Sequence, residues 1–510
     1  MPTRNYYVVL GIPESEPVDG VRRAFRELAR RYHPDRAGTH STPFFQEIVT
    51  AYRTLADPQR RASYDAGLHA GQGPPRAAPR PWPDVPAEPL VSQRSNMRRD
   101  VRTVWPKDDF FEAASWKHLA NWKSELEPHY QTATRMLGAE PNPCDEIGDQ
   151  IVREIAADLG RADHYEKTRV AIYFGEKGKE GKEVPDPYFD GKGPSRVGCI
   201  QCGACMTGCR VGAKNTLDQN YLYLAEKAGA LVMPEREVTA VRPKPGGGYR
   251  VTTKPSITKG PDEVFEAANV IFSGGVMGTI PLLLKMKEDP KGLPRLSDRL
   301  GASVRTNSEA LFGVVAPELD GNMAEGIAIT SILHTDDHSH IEPVRYGHGS
   351  DFFRWMVLPH APGKNFVSRL GGALKQFAER PGFIKRAYSI PREEFAEKTA
   401  TLLFMRTLDG TLSLKFGRSA LNGFTRQLVS VLDDPKDAPQ AFMTDATDLA
   451  QRFAEKVKGI AVSMVSETLF GSPSTAHILG GACMGTSASD GVIDAQHRVF
   501  GYEGLYVIDG

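Results

Sequence analysis

The sequence predicts a multidomain chain: an all-α unit over residues 1–70, then a much larger α/β (α+β) region. Three observations carry this. Residues 17–55 hold two apolar stripes at helical spacing, with no strand pattern between them. Residues 71–104 are punctuated by Pro74, Pro75, Pro79, Pro81, Pro83, Pro86 and Pro89, which prevent helix and favour extended linker chain. From residue 105 onward, helical stripes alternate with short strand-like runs, the pattern of layers packed on a sheet.

Bulk properties narrow the function classes. Lysine plus arginine equals aspartate plus glutamate, 63 against 63, so there is no overall attraction to nucleic acid or anionic lipid. No apolar run approaches the roughly 18 residues of a membrane span. The opening residues, MPTRNYYVVLG, lack the apolar core of a signal peptide. The expected location is therefore the cytoplasm. Thiols there are mostly reduced, so clustered cysteines favour a metal over disulfides.

Taken in order, Pro17 to Tyr32 places Val21, Phe25, Leu28, Ala29 and Tyr32 on one helical face and arginines on the other. Pro34 ends that helix. A second helix opens at Thr42-Pro43, a cap followed by proline in the first turn, and buries Phe45, Ile48, Val49, Tyr52 and Leu55. Past the linker, Leu126, Tyr130, Ala133 and Leu137 repeat at helical spacing, as do Ile147, Ile151, Ile155 and Leu159. Cys199, Cys202, Cys205 and Cys209 then form a C-x2-C-x2-C-x3-C run, with Gly203, Gly208 and Gly212 free to fold tightly around it. Four converging thiolates suit a [4Fe–4S] cluster or a tetrahedral zinc ion. The competing reading is a turn with reduced or paired thiols. A helix over Leu217 to Ala228 and a strand over Leu231 to Val241 follow. A further strand, Val264 to Phe272, leads into Ser273-Gly274-Gly275 and a helix from Thr279 to Met286; such a turn can offer free N–H groups to a phosphate or a flavin edge. Strands at Gly326 to Leu333, Thr401 to Thr407 and Thr411 to Phe416, with a helix at Asp445 to Lys458, suit a sheet that roofs a pocket. His334, His338, His340 and His348, with Asp336 and Asp337, read as a solvated polar loop in preference to a metal site.

Two resemblances sharpen this. Tyr6-Tyr7-Val8-Val9-Leu10-Gly11, Tyr32-His33-Pro34-Asp35, Ala51-Tyr52 and Asp57-Pro58 through Tyr64-Asp65 occur in order at the right distances, and the unit resembles a J domain. The resemblance implies a heat-shock ATPase as partner, signalled by His33, Pro34 and Asp35. The stretch Ala213 to Arg242, together with AHILGGACMGTSASDGVIDAQHRVFGYEGLYVIDG at Ala476 to Gly510, resembles the glucose-methanol-choline (GMC) flavin oxidoreductases, in their cholesterol-oxidase-like branch. That resemblance implies FAD, an alcohol or sterol substrate, His477 and Glu342 as catalytic groups, and cofactor contacts at Val238, Gly274, Gly275, Asp509 and Gly510. It divides the chain into 105–310 with the cysteine run, a substrate region 311–474, and a closing motif 475–510. The family's G-x-G-x-x-G strand–turn–helix, which grips the FAD pyrophosphate, has no counterpart in this sequence, so a chain lacking the first Rossmann βαβ unit is expected. The expected function is FAD-dependent oxidation of alcohols or sterols, impaired by that departure; the alternative is a co-chaperone whose oxidoreductase-like region binds partners.

Overall fold

A computed structural model of the chain describes residues 6–69, apart from 11, 13–15 and 33–41, and residues 106–509, apart from 258, 352–353, 355–356, 408–409, 419–423, 435–441, 472, 474 and 476. His33, Pro34, Asp35 and Gly510 lie outside the described residues. The chain divides into two compact units, Met1–Pro89 and Leu90–Gly510.

The first unit is a hairpin of helices, Val18–Tyr32 and Thr42–Leu55, with Tyr6–Leu10 and Pro58–His69 packed on it. Its core is Tyr7, Val9, Leu10, Val21, Ile48, Ala51 and Leu55, with Phe25 stacked on Tyr52 at 4.0 Å between ring centroids. The paired motifs at its two ends meet. The Tyr7 hydroxyl donates to Asp65 Oδ1 at 2.6 Å and accepts from Arg61 Nε at 2.9 Å, while Tyr6 stacks on Tyr64. Asp57 Oδ1 accepts the Gln59 and Arg60 N–H groups ahead of the last helix, with Pro58 at its first position.

The second unit is built on a seven-stranded sheet. Its order is Val357–Pro359, Ile460–Met464, Ala310–Val315, Thr399–Arg406, Ser339–Val344, Ser331–His334 and Tyr165–Lys167, antiparallel throughout. Side chains alternate between the two faces of each strand. Phe312, Val314, Leu333, Ile341, Leu402 and Phe404 point to one face and pack against the helices Ile147–Asp158 and Thr444–Lys456 in the main core. Asp149, buried on the first of these helices, accepts from the Thr330 and Ser331 hydroxyls and from Arg345 Nη2, and so ties helix to sheet. A second core surrounds the helix Val276–Glu288. It includes the only parallel strand pair among the described strands, Val270–Phe272 beside Leu505–Val507. No helix among the described residues is long and apolar enough to cross a membrane.

Several boundaries differ from expectation. The strand read from Leu231 begins at Arg236, because Glu235 adopts φ 59° and turns the chain, leaving Leu231, Val232 and Met233 exposed. Val264 to Phe272 is two strands, Glu263–Ala267 and Val270–Phe272. The strand read from Gly326 starts only at Ser331, since Gly326, at φ 102°, is tied instead to the cysteine loop. His334 and His340 are not in a solvated loop: they stand on neighbouring strands as cross-strand partners.

The cysteine run is also corrected. Among the described residues no group of three Cys, His, Asp or Glu side chains is arranged to hold a metal ion. Cys199, Cys205 and Cys209 pack with Cys144, Ile172, Ala213 and Ile327 in a small apolar cluster. Burial pushes the Cys199 thiol up to about 11 and that of Cys144 up to about 12. The sulfurs of Cys199 and Cys209 accept N–H groups from Gln201 and Lys214. The loop is held by backbone: Gly203 N–H donates to Gly326 O and Gly326 N–H to Gln201 O, both at 2.9 Å. Gly203 sits at φ 67°, and a Cβ there would lie 2.0 Å from Ala324 O.

Candidate active site

The register of two short strands assembles the site. Val304–Thr306 pairs with Ile478–Leu479, Thr306 opposite Ile478, so Asn307 and His477 emerge side by side at the end of the ladder. Two residues on, the chain enters the strand Ala310–Val315 with Glu309 at its threshold, and Glu309 is buried. Asn307 Nδ2 and Glu309 Oε2 each lie 2.9 Å from His477 Nδ1. Asn307 Nδ2 also donates to Glu309 Oε2 at 3.2 Å. The Glu309 carboxylate selects the tautomer with the proton on Nδ1: Nδ1–H and the Asn307 amide then both donate to Glu309, the Asn307 Nδ2 approach to Nδ1 is a contact and not a hydrogen bond, and Nε2 is left bare. Thr475 Oγ1 accepts the His477 N–H at 3.1 Å and fixes the turn.

Glu342 approaches from the strand Ser339–Val344, on the sheet face opposite the core residue Ile341. Burial raises its carboxyl to about 7, with the neighbouring His477 pulling weakly the other way. Of the sequence-predicted pair, Glu342 thus lies within range of the His477 charge, and His340 stands beside it, its Nε2 3.8 Å from Glu342 Oε1. Sequence reasoning missed Asn307 and Glu309; the available signal was a polar Asn-Ser-Glu triplet abutting the apolar run Ala310 to Val315.

Beyond the same strand pair, at Arg305 and Gly480, opens a cavity of about 280 Å³. Two or three residues of strand separate it from His477, roughly 7–10 Å. Phe110 and Trp116 form an aromatic wall, edge to face at 4.6 Å, and Val276, Thr279 and Asp509 line the opposite side. Gly275 caps the helix Val276–Glu288 at φ 70° without a side-chain cap, and nothing lies within 4 Å of where its Cβ would be. Gly274 N–H donates to Thr279 Oγ1, which in turn bonds Asp509. Gly274, Gly275 and Asp509 thus gather at one wall. Val238 does not join them: it is exposed on the antiparallel strand Arg236–Pro243 and lines no part of the cavity.

These residues fit the ring end of a flavin. A mostly apolar slot, a bare helix N-terminus and a single carboxylate suit a flat heteroaromatic ring with one polar edge. The pyrophosphate cradle is a different matter, because the sequence holds no glycine motif of that kind.

Known proteins agree with both units. The DnaJ domain profile matches residues 5–65, and the GMC oxidoreductase C-terminal profile matches residues 420–510. A cholesterol oxidase of Mycobacterium tuberculosis strain H37Rv is 40% identical over 419 residues, spanning 79% of this chain and 71% of that protein. A cholesterol oxidase of Acinetobacter baumannii is 38% identical over 413 residues, spanning 79% and 73%. The chaperone protein DnaJ of Roseiflexus castenholzii is 43% identical over 90 residues, spanning 18% of this chain and 24% of that protein. The chain, which opens on a DnaJ domain, belongs to the GMC oxidoreductase family.

Proposed function

We propose that the second unit oxidises the hydroxyl-bearing carbon of an alcohol of the sterol class, using FAD. Bound FAD supplies the hydride acceptor. The observation that carries this reading is the His477–Glu309–Asn307 cluster at the end of the strand pair that borders the cavity. With Nδ1–H committed to Glu309, Nε2 of His477 accepts the substrate hydroxyl proton. The Glu309 carboxylate then stabilises the imidazolium, as the buried acid does in other carboxylate-oriented histidine bases. Asn307 holds the Glu309 carboxylate in place through its Nδ2–H bond. Glu342, balanced near neutrality, takes up or releases the proton that His477 passes on. Gly274, Gly275, Thr279 and Asp509 would hold the flavin ring, and Phe110 with Trp116 would exclude water from its face.

The test is anaerobic incubation of FAD-loaded protein with cholesterol while following bleaching of the flavin band. Replacing the base, His477→Gln, should lower the reduction rate about 10²–10⁴-fold with FAD binding unchanged. Equal rates for His477→Gln and the parent protein would defeat the assignment. Oxidation should also rise as pH climbs through about 7, where Glu342 loses its proton.

The first unit supports a second activity, stimulation of a heat-shock ATPase. The supporting observation is the closed helical hairpin, with Tyr6-Tyr7 locked onto Tyr64-Asp65. Its signalling triplet, His33-Pro34-Asp35, rests on sequence. His33→Gln should abolish stimulation of ATP hydrolysis while leaving the helical circular dichroism unchanged; stimulation that survives the substitution counts against this role.

A further inference from the structure

A row of titratable side chains leaves the candidate active site along the sheet. On the strand Ser339–Val344, His340 and Glu342 share the face opposite Ile341. His340 pairs across strands with His334, and their rings meet edge to face at 5.7 Å between centroids. The next strand, Tyr165–Lys167, contributes Glu166. His340 Nε2 lies 3.8 Å from Glu342 Oε1, and His334 Nε2 lies 3.5 Å from Glu166 Oε1. Side-chain exposure climbs along the row, from 14% at Glu342 through 24% and 27% at the two histidines to 42% at Glu166. His334 Nδ1 is buried with no hydrogen-bond partner among the described residues, although a purely structural imidazole is ordinarily satisfied.

We propose that Glu342, His340, His334 and Glu166 form a proton exit from the oxidation site to solvent. The proposal rests on the oxidative reading above. As the hydride leaves the substrate carbon for FAD, the O–H bond breaks and its electron pair becomes the second bond of the C=O group. The released proton reaches Glu342. From there it passes to one nitrogen of His340, whose other nitrogen gives up its own proton to His334. His334 repeats the exchange towards Glu166, which releases the proton to water. In this reductive half-reaction one proton leaves for each alcohol oxidised, with FAD as the oxidant; a two-electron acceptor reoxidises the flavin before the next turnover. The 3.5 and 3.8 Å separations exceed hydrogen-bond length, so each transfer requires a small approach of the two groups.

The electrostatic surroundings suit neutral carriers. Lys107, whose Nζ bonds Asp337 O, Arg161, whose Nε bonds His334 O, and His164 face the row from outside. Glu166 faces it from the neighbouring strand, and Glu309 and His477 from the site. Burial first, then His334 and Lys107, pushes His340 down to about 4, and burial and Lys107 lower His334. A neutral imidazole keeps one N–H and one bare nitrogen, the form that passes a proton without holding it.

The experiment uses FAD-loaded full-length protein carrying His340→Gln or His334→Gln, side chains that hydrogen-bond but cannot exchange tautomers. Steady-state turnover with an added artificial two-electron acceptor, at about pH 7.5, one pH unit above the ordinary histidine value, should fall about 10- to 100-fold, less than for loss of a direct base. KM should be unchanged, the solvent isotope effect should rise, and added imidazole buffer should restore turnover. A merely structural role would show no buffer rescue, and absence of rescue overturns the proposal. If the parent protein fails to oxidise sterols, the oxidative reading fails separately. The row is then judged by carboxyl-¹³C and imidazole-¹⁵N NMR titration: His340→Gln should move the Glu342 midpoint, and an unmoved midpoint refutes the connection.

Discussion

At the scale of single residues, Glu342 makes the sharpest prediction. Its folded carboxyl titrates at about 7, against an ordinary 4.5. Between those values the folded chain holds a proton that the unfolded chain has lost, so the stability present below pH 4.5 falls as pH rises and is fully lost above about 7. Glu342→Gln removes the titration. The variant should match the parent in melting temperature at pH 4 and exceed it at pH 8, by an amount equivalent to at most about 3 kcal/mol. Thermal melts at the two pH values decide it, and a variant that melts lower at pH 8 contradicts the buried-carboxylate account. Glu342 and His477 drew notice in the sequence because each sits in a short recognisable run. Asn307 and Glu309 were not, because they lie 170 and 168 residues from His477 along the chain, and only the cross-strand register of Thr306 with Ile478 brings them to it.

Among the elements, the cysteine loop separates what spacing implies from what packing permits. C-x2-C-x2-C-x3-C allows four sulfurs to converge, and the spacing alone left a metal centre and a turn of reduced or paired thiols both open. The structure instead wraps Cys144, Cys199, Cys205 and Cys209 in apolar side chains and secures the loop through Gly203 and Gly326. Gly203→Ala is then the telling change. It puts a Cβ against the Ala324 carbonyl at a left-handed φ and should cost about 1–3 kcal/mol, read by chemical denaturation. Serine replacement of a cluster-ligating cysteine would strip bound iron or zinc, whereas Gly203→Ala acts on stability whether or not metal is added. Helices were easier to read than strands. The stripe Ile147, Ile151 and Ile155 is buried as its period requires. The apolar Leu231-Val232-Met233 passed for a strand because no sequence rule foresees Glu235 turning the chain to a positive φ.

For the whole molecule, division into a small helical unit and a large sheet-based unit was legible from the prolines at 74–89, and the sheet order was not. The strand Ala310–Val315 lies between Thr399–Arg406 and Ile460–Met464, partners far along the chain, chosen by the packing of the whole sheet and not by any local signal. The parallel pair Val270–Phe272 and Leu505–Val507 is equally non-local, and it closes the second core over Phe272, Leu505 and Val507. A chain truncated before Leu505 should therefore keep the helical signal of residues 6–69 yet lose the soluble second unit; recovery of a monomeric second unit on gel filtration would contradict this. The same pairing has a consequence for biosynthesis. Ser273 and its partner Ile508 are 235 residues apart, so at about 5–20 residues per second the ribosome delivers the second strand roughly 10–50 s after the first. Throughout that delay the second core lacks Leu505 and Val507, while the helical hairpin, translated first, has already emerged; under the co-chaperone role proposed above it would act on the very polypeptide that carries it.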